Sequence, residues 1–459
     1  MYKRFKFSLS RKDYEDLLQR IKEDNNCLKR LTSQNLRLEP VRNPQQLRKS
    51  PNFEVIRDCA KSLFSALRSG FDCNCPESHS ANLLLERRNG EHLKENKNKD
   101  EILPTLNFRI TFAYGYRNSI SNSVMWLWKP ADVKLIDHAE DSSAGGNSNM
   151  TSGPAVTKTA KFAVSKESPK TAKVAPQKAT RFAITTQADI RTNSGPSNLN
   201  PRTAPGMIHI ENFCNTMVHF WPQNCPPGYT FPVLGYLLDK ATKRKHCIYP
   251  LPGASFRSIP LSQVIRGSGQ LTPLKVSDKK YLAVTLASNL LQLCGTPWLA
   301  RQWNVNDIMF ICPPNAPVFY TYPHISIPVT PSKSNPIEEE RLPDASLACP
   351  NIRDPFTFGL GILLIELCLG KSIEQLRIPS DLNPDGTEHV TTNFRTATRL
   401  LDDVYQEAGG RYGDAVRRCI YCEFDQRKAN LEDPSFRRAV YEGVVYWLEE
   451  DLKDFYYLV

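Results

Sequence analysis

Cys73, Cys75 and His79, in the stretch CNCPESH, are of the types that hold zinc through sulfur and imidazole nitrogen. A closed structural site takes four such ligands, and its usual signature is a second well-spaced pair. No nearby pair supplies the rest, so the expectation from sequence is that these residues hold no metal. The eight histidines form no interpretable set with nearby carboxylates, and His209, His219 and His246 fall in strand or loop patterns. HExxH, the P-loop and GxSxG are all absent, so the usual signatures of metalloprotease, phosphate-cradle and nucleophile-elbow chemistry are not found.

Asp354 to Gly370 reads DPFTFGLGILLIELCLG and holds an apolar run from Phe358 to Leu369. A bilayer span needs about 20 apolar residues, whereas this run has twelve positions and is broken by Glu366. It predicts a buried helix of a soluble domain, with Asp354 available to accept backbone N–H groups at its start.

Other elements must position these groups. Ser10 and Asp13 resemble a weak capping box before Leu17, Leu18, Ile21, Leu28 and Leu31, which predicts a helix over about 11–33. Phe53, Ile56, Ala60, Leu63, Phe64 and Leu67 predict a second, ended by Gly70. Each has one apolar face, so they are expected to pack in a small helical bundle rather than a coiled-coil dimer, whose heptads the short run does not sustain. Strands are predicted at 105–115 and within 124–138, with two more in Phe231 to Leu251 around the charged turn Lys243, Arg244 and Lys245. Tyr281 to Leu293 is apolar on most faces and predicts a buried helix. The pattern beyond Asp354 is mainly helical.

The chain of 459 residues is 40% hydrophobic, enough for two or three domains. Its net charge of +11 is uneven: residues 141–205 hold nine Lys or Arg against three acids, a net +6. That segment is rich in Ser, Thr, Ala, Gly, Pro and Lys and is expected to be a disordered basic insertion, because it cannot bury enough apolar surface to offset ordering. The remainder is closer to neutral, so nucleic acid is not an expected partner. Thirteen scattered cysteines and an N-terminus without an apolar signal core point to a reducing, intracellular, cytoplasmic setting.

DPFTFGLGILLIELCLG resembles the central C-lobe helix of protein kinases, opened by an Asp and closed by Glu-Leu and a Gly. YLAVTLASNLLQL resembles the long helix before the catalytic loop, WNVNDIMF that loop, and LGYLLDKATKRKHCIYPL the strand pair leading to the hinge. Together with FEVIRDCAKSLFSAL, CNCPESHSANLLLE, LLQLCGTPWLARQWNVNDIMF and FRRAVYEGVVYWLE, these make the chain similar to a family of fungal proteins with a helical N-terminal region and a kinase-like C-terminal region. Relatives of that family are connected by domain architecture with fungal self-recognition and programmed cell death.

The resemblance implies an α+β, protein-kinase-like fold with a reduced N-lobe and a helical C-lobe, preceded by a helical N-terminal region. The expected division is 1–100 helical, 101–140 first N-lobe strands, 141–205 insertion and 206–459 the remaining kinase-like domain. Phosphoryl transfer also needs a phosphate loop, a lysine, magnesium ligands and a catalytic acid. No Gly-rich loop precedes Lys134, the weak candidate for the strand lysine, and Asp307 is a weak candidate magnesium ligand. If Asn306 or Asp307 holds the magnesium position, the residue five earlier is Arg301 or Gln302, neither a carboxylate. No Asp-Phe-Gly lies between Phe310 and Asp354, where Glu338 to Glu340 and Asp344 sit in a variable polar stretch. The expectation is a non-catalytic interaction or scaffolding protein with no cofactor, a protein partner and no membrane; oligomeric state is left open. Asp354, Gly359, Glu366, Trp298 and Trp303 are expected to be structural. The alternatives are an atypical nucleotide-binding phosphotransferase and a helical oligomerising or membrane-associated module.

Overall fold

The computed structural model describes residues 15, 17–30, 50–136, 207–329 and 351–458, less positions 72, 74, 76–78, 89–92, 95–96, 118–123, 223–231, 253–254, 268–270, 315 and 427. The expected insertion at 141–205 lies outside the described residues, as do Glu338 to Glu340 and Asp344. The elements below belong to one unit formed by Met1–Asp137 and Ile208–Val459.

Alternating apolar residues build a long hairpin from β2 (Asn107–Arg117) and β3 (Val124–Ile136). Before it comes β1 (His79–Leu84), and after it β4 (Gly235–Leu238), β5 (Lys245–Pro250), β6 (Arg257–Pro260), β7 (Ile308–Cys312) and β8 (Pro323–Pro328). They form one eight-stranded sheet in the order β4-β5-β3-β2-β1-β8-β7-β6, with every neighbouring pair antiparallel. The charged turn between β4 and β5 is tightened by Lys243, whose φ is 61°, and by its N–H bond to the carbonyl of Asp239 at 2.8 Å.

β1 sits inside the sheet, with Leu83 opposite Ile110 on β2 and Ile325 on β8. Residues 1–100, expected to be helical, therefore contribute a strand near the sheet's centre. Burial on both faces leaves its sequence, HSANLL, without the alternation that marks a strand with one wet face.

The helix at 17–30, here α1, exposes Leu17, Leu18, Ile21 and Leu28. The helix α2 (Phe53–Gly70) is capped by Asn52, whose side chain accepts from the Val55 N–H at 3.2 Å. The two do not form the expected bundle: α2 packs its Phe53, Ile56, Cys59, Ala60, Leu63 and Leu67 face into the main core while the α1 leucines stay exposed. The wide apolar stripe of α2 demands more cover than one short helix supplies. Polar pins fix it there: Arg57 Nε donates to the Cys294 carbonyl at 2.7 Å, and Trp298 Nε1 to the Ala60 carbonyl at 2.8 Å.

Between β3 and β4 in the chain is the short helix α3 (Phe213–His219). The central helices are α4 (Val276–Leu293) and α5 (Pro355–Leu369). On α4, twelve consecutive residues from Leu282 to Leu293 are buried, as expected of a helix apolar on most sides. No helix among the described residues is long and apolar enough to cross a membrane. α5 starts as Asp354 Oδ1 accepts from the Thr357 N–H at 2.8 Å, with Pro355 in the first turn, and stops at Gly370, whose φ of 66° suits a residue without Cβ. Against it packs α6 (Gly410–Tyr421), so closely that a Cβ on Gly361 would lie 2.7 Å from Ile420 Cδ1.

Candidate functional site

Lys134 and Asp307 are not brought together. Lys134 lies on β3, and Asp307 immediately precedes β7, so β2, β1 and β8 intervene. The path between them along the sheet is thus four ladder steps. The Lys134 side chain is exposed, with Nζ 5.3 Å from the centre of the Tyr249 ring, and it makes no ion pair among the described residues. The α3 helix, FCNTMVH, contains no carboxylate that could meet it. Asp307 accepts the Asn304 N–H at 2.8 Å and returns its own N–H to the Asn304 carbonyl at 3.0 Å, closing a turn before β7. Partial burial raises the pKa of its carboxyl.

A cleft of about 450 Å³ opens at the end of β1, between the start of β2 and Tyr281 of α4. Neither Lys134 nor Asp307 lines it. Its cations already have partners: the Arg87 guanidinium stacks 4.6 Å from the centre of the Tyr281 ring, while buried Arg88 donates to Gln292 Oε1 at 2.8 Å and the Asn107 carbonyl at 3.0 Å. One polar atom of the lining, Asn107 Oδ1, is buried without a hydrogen-bond partner.

The residues expected to be structural are all inside the core or at its edge. Trp298 anchors α2, and Trp303 Nε1 donates to the Phe356 carbonyl at 3.3 Å. Gly359 lets that indole approach, since a Cβ there would lie 3.0 Å from Trp303 Nε1. Burial raises the Asp354 carboxyl above its ordinary pKa, against the opposing pull of the Thr357 N–H and Arg301. Glu366 is buried, with Oε1 accepting from the Ile373 N–H at 2.8 Å and Oε2 unpartnered. Burial pushes its pKa up to about 7.

A network not anticipated from sequence lies under α2. Ser62 Oγ is 2.9 Å from His246 Nε2 and 3.2 Å from Thr242 Oγ1, which donates to Asp239 Oδ2 at 2.5 Å. Although it contains Ser, His and Asp, it is not an assembled nucleophilic triad. The carboxylate bonds the Thr hydroxyl and the Ala241 N–H, whereas a triad needs it on the imidazole. All three residues are buried, and the network joins α2 to the β4–β5 hairpin.

Cys73, Cys75 and His79 do converge, and Cys214 of α3 joins them. Cys75 Sγ is 3.4 Å from Cys214 Sγ, and His79 Nε2 is 3.1 Å from Cys73 Sγ. One ligand atom from each of the four residues lies within 4.8 Å of all the others. Aromatic packing assembles the segments: Phe213 meets Phe71 and Phe112 edge-on at 5.1 and 4.8 Å between ring centres, and the His79 ring lies 5.5 Å from Phe71. The fourth donor is not near the first three in the chain: it lies 135 residues beyond His79.

Residues 204–455, more than half of the chain, match a family described as a domain of unknown function, DUF7580. The chain belongs to this family. No curated protein matches it. The DUF7580 match contains Asp307, Trp298, Trp303, Asp354, Gly359, Glu366 and Cys214. Strands β1 to β3, with Lys134, precede it, as do Cys73, Cys75 and His79. The sheet and the cysteine–histidine cluster therefore both cross the boundary of the matched domain.

Proposed function

We propose that this chain is a non-catalytic protein-binding module of protein-kinase-like architecture, acting as a scaffold in fungal intracellular signalling or self-recognition. The observation that carries the non-catalytic reading is the separation of Lys134 from Asp307 by four ladder steps. A kinase lysine and its magnesium ligands must reach one nucleotide at once, because this chemistry rests on positioning and charge stabilisation. The architectural part draws support from two features. Asp354 caps the buried α5 helix, and long α4 packs beside it, as the two central helices of a kinase C-lobe do. A protein partner is supported by α1, which presents Leu17, Leu18, Ile21 and Leu28 to solvent.

The test is a phosphotransfer assay with labelled ATP, Mg²⁺ and a generic protein acceptor, run on the chain and on Asp307→Asn. No transfer above background is expected from either. Magnesium-dependent transfer that disappears in Asp307→Asn overturns the reading. A second reading, an atypical nucleotide-binding enzyme, has one observation in its favour: the cleft beside Tyr281 holds the unpartnered Asn107 Oδ1. It predicts ATP binding that is insensitive to Lys134 and Asp307 but weakened by Asn107→Ala.

A further inference from the structure

The geometry points to a structural zinc site formed by Cys73, Cys75, His79 and Cys214, which fastens the N-terminal α2–β1 segment to the DUF7580 domain. Three thiols and an imidazole are a common closed donor set for zinc. In a tetrahedron with Zn–S bonds of about 2.3 Å, neighbouring sulfurs lie about 3.8 Å apart. The Cys75–Cys214 separation is 3.4 Å, and the whole set is confined within 4.8 Å. Changes in separation of up to about 1 Å therefore bring the set into tetrahedral ligation of an ion.

Apolar packing alone does not account for the arrangement. The Phe71, Phe112 and Phe213 contacts explain why the segments meet, but a group of thiols offers only weak hydrogen bonds to reward pointing at one spot. His79 is 1% exposed and aims Nε2 at Cys73 Sγ. Nε2 is therefore the ring nitrogen that faces the thiols, while Nδ1 is buried without a partner. Binding displaces one proton from each of three thiols and leaves the imidazole neutral, so thiolate charge outweighs the ion's two positive charges by one.

The placement says what the site does. Three donors come from the loop after α2 and the first residue of β1, before the matched domain, while Cys214 comes from α3, within it. The ion closes a loop of 135 residues between His79 and Cys214, and long closures are the ones whose entropy a metal clip offsets most. This holds whether or not the chain binds a nucleotide. The competing fate of the cluster is a Cys75–Cys214 disulfide, which would consume two of the four donors and require an oxidant.

The experiment uses the full chain purified under reducing conditions. Elemental analysis is expected to give one zinc per chain. Exchange into Co²⁺ is expected to give the intense visible bands of tetrahedral cobalt with a thiolate charge-transfer band in the near ultraviolet. Cys214→Ser should weaken cobalt binding by more than about tenfold, whereas Cys27→Ser, at an exposed cysteine outside the cluster, should not. If Cys214→Ser does not fold, the cobalt spectrum of the unsubstituted chain decides alone. The proposal is overturned by substoichiometric metal, by an octahedral cobalt spectrum without thiolate bands, or by an intact mass two hydrogens light with Cys75 and Cys214 in one crosslinked peptide.

Discussion

Two sets of candidate residues behave in opposite ways. Lys134 and Asp307, matched to parts of one catalytic machine by resemblance, sit at opposite reaches of a sheet, each occupied locally by a ring or a turn. Cys73, Cys75, His79 and Cys214, which no motif unites, meet within 4.8 Å. A residue type at a motif-like position is thus weaker evidence than donors that the fold carries to one point.

The largest expected effect belongs to the convergent set. Cys214→Ser in the zinc-loaded chain should lower unfolding free energy by more than about 3 kcal/mol, since zinc binding energy becomes folding energy in such sites. Denaturant unfolding with and without a chelator checks this. The chelator should destabilise the unsubstituted chain and leave the variant unchanged; equal responses would remove the contrast between the two sets.

Next is Glu366, at the core of the helical part. Its folded pKa of about 7 lies above the ordinary 4.5, so the fold disfavours the ionised form. The associated stability is present below about pH 4.5 and is lost as pH rises through 7. Relative to Glu366→Gln, the unsubstituted chain should lose on the order of 3 kcal/mol between pH 4 and pH 8, at about 1.4 kcal/mol per pKa unit. His246 and His324, held down to about 4 by burial, have the opposite sign and lose stability as pH falls below about 6.5. They are common to both chains and drop out of the comparison.

How much of this was legible in the sequence depended on how local each signal was. The cap at Asp354, the buried α4 and α5 helices and the β4–β5 hairpin were readable, because a capping acid, an apolar run and a charged turn act within a few residues. β1 was not, since a strand buried on both faces has no alternation. The apolar face of α2 was visible, but its partner was not: the cover comes from α4, β4 and Trp298 rather than from the neighbouring helix. Cys214 was invisible as a ligand because its companions are distant in the chain. Its one signal was the adjacent Phe213, an apolar anchor whose contact with Phe71 could be known only once the sheet was assembled.

Smaller effects separate structural acids from candidate catalytic ones. Asp354→Ala should cost about 1–2 kcal/mol, because the Thr357 N–H loses a buried acceptor. Lys134→Ala should change stability by no more than about 0.5 kcal/mol, as befits an exposed side chain with a single ring contact. Chemical denaturation of both variants at one pH ranks them, and a larger loss for Lys134→Ala would reverse the assignment.

The separation of Lys134 from Asp307 is tested most directly by calorimetric titration of the full chain with ATP and Mg²⁺, repeated on Lys134→Ala and Asp307→Asn. The expected result is no binding that depends on either residue. Magnesium-dependent ATP binding abolished by both substitutions would place the two side chains on one nucleotide and contradict the account.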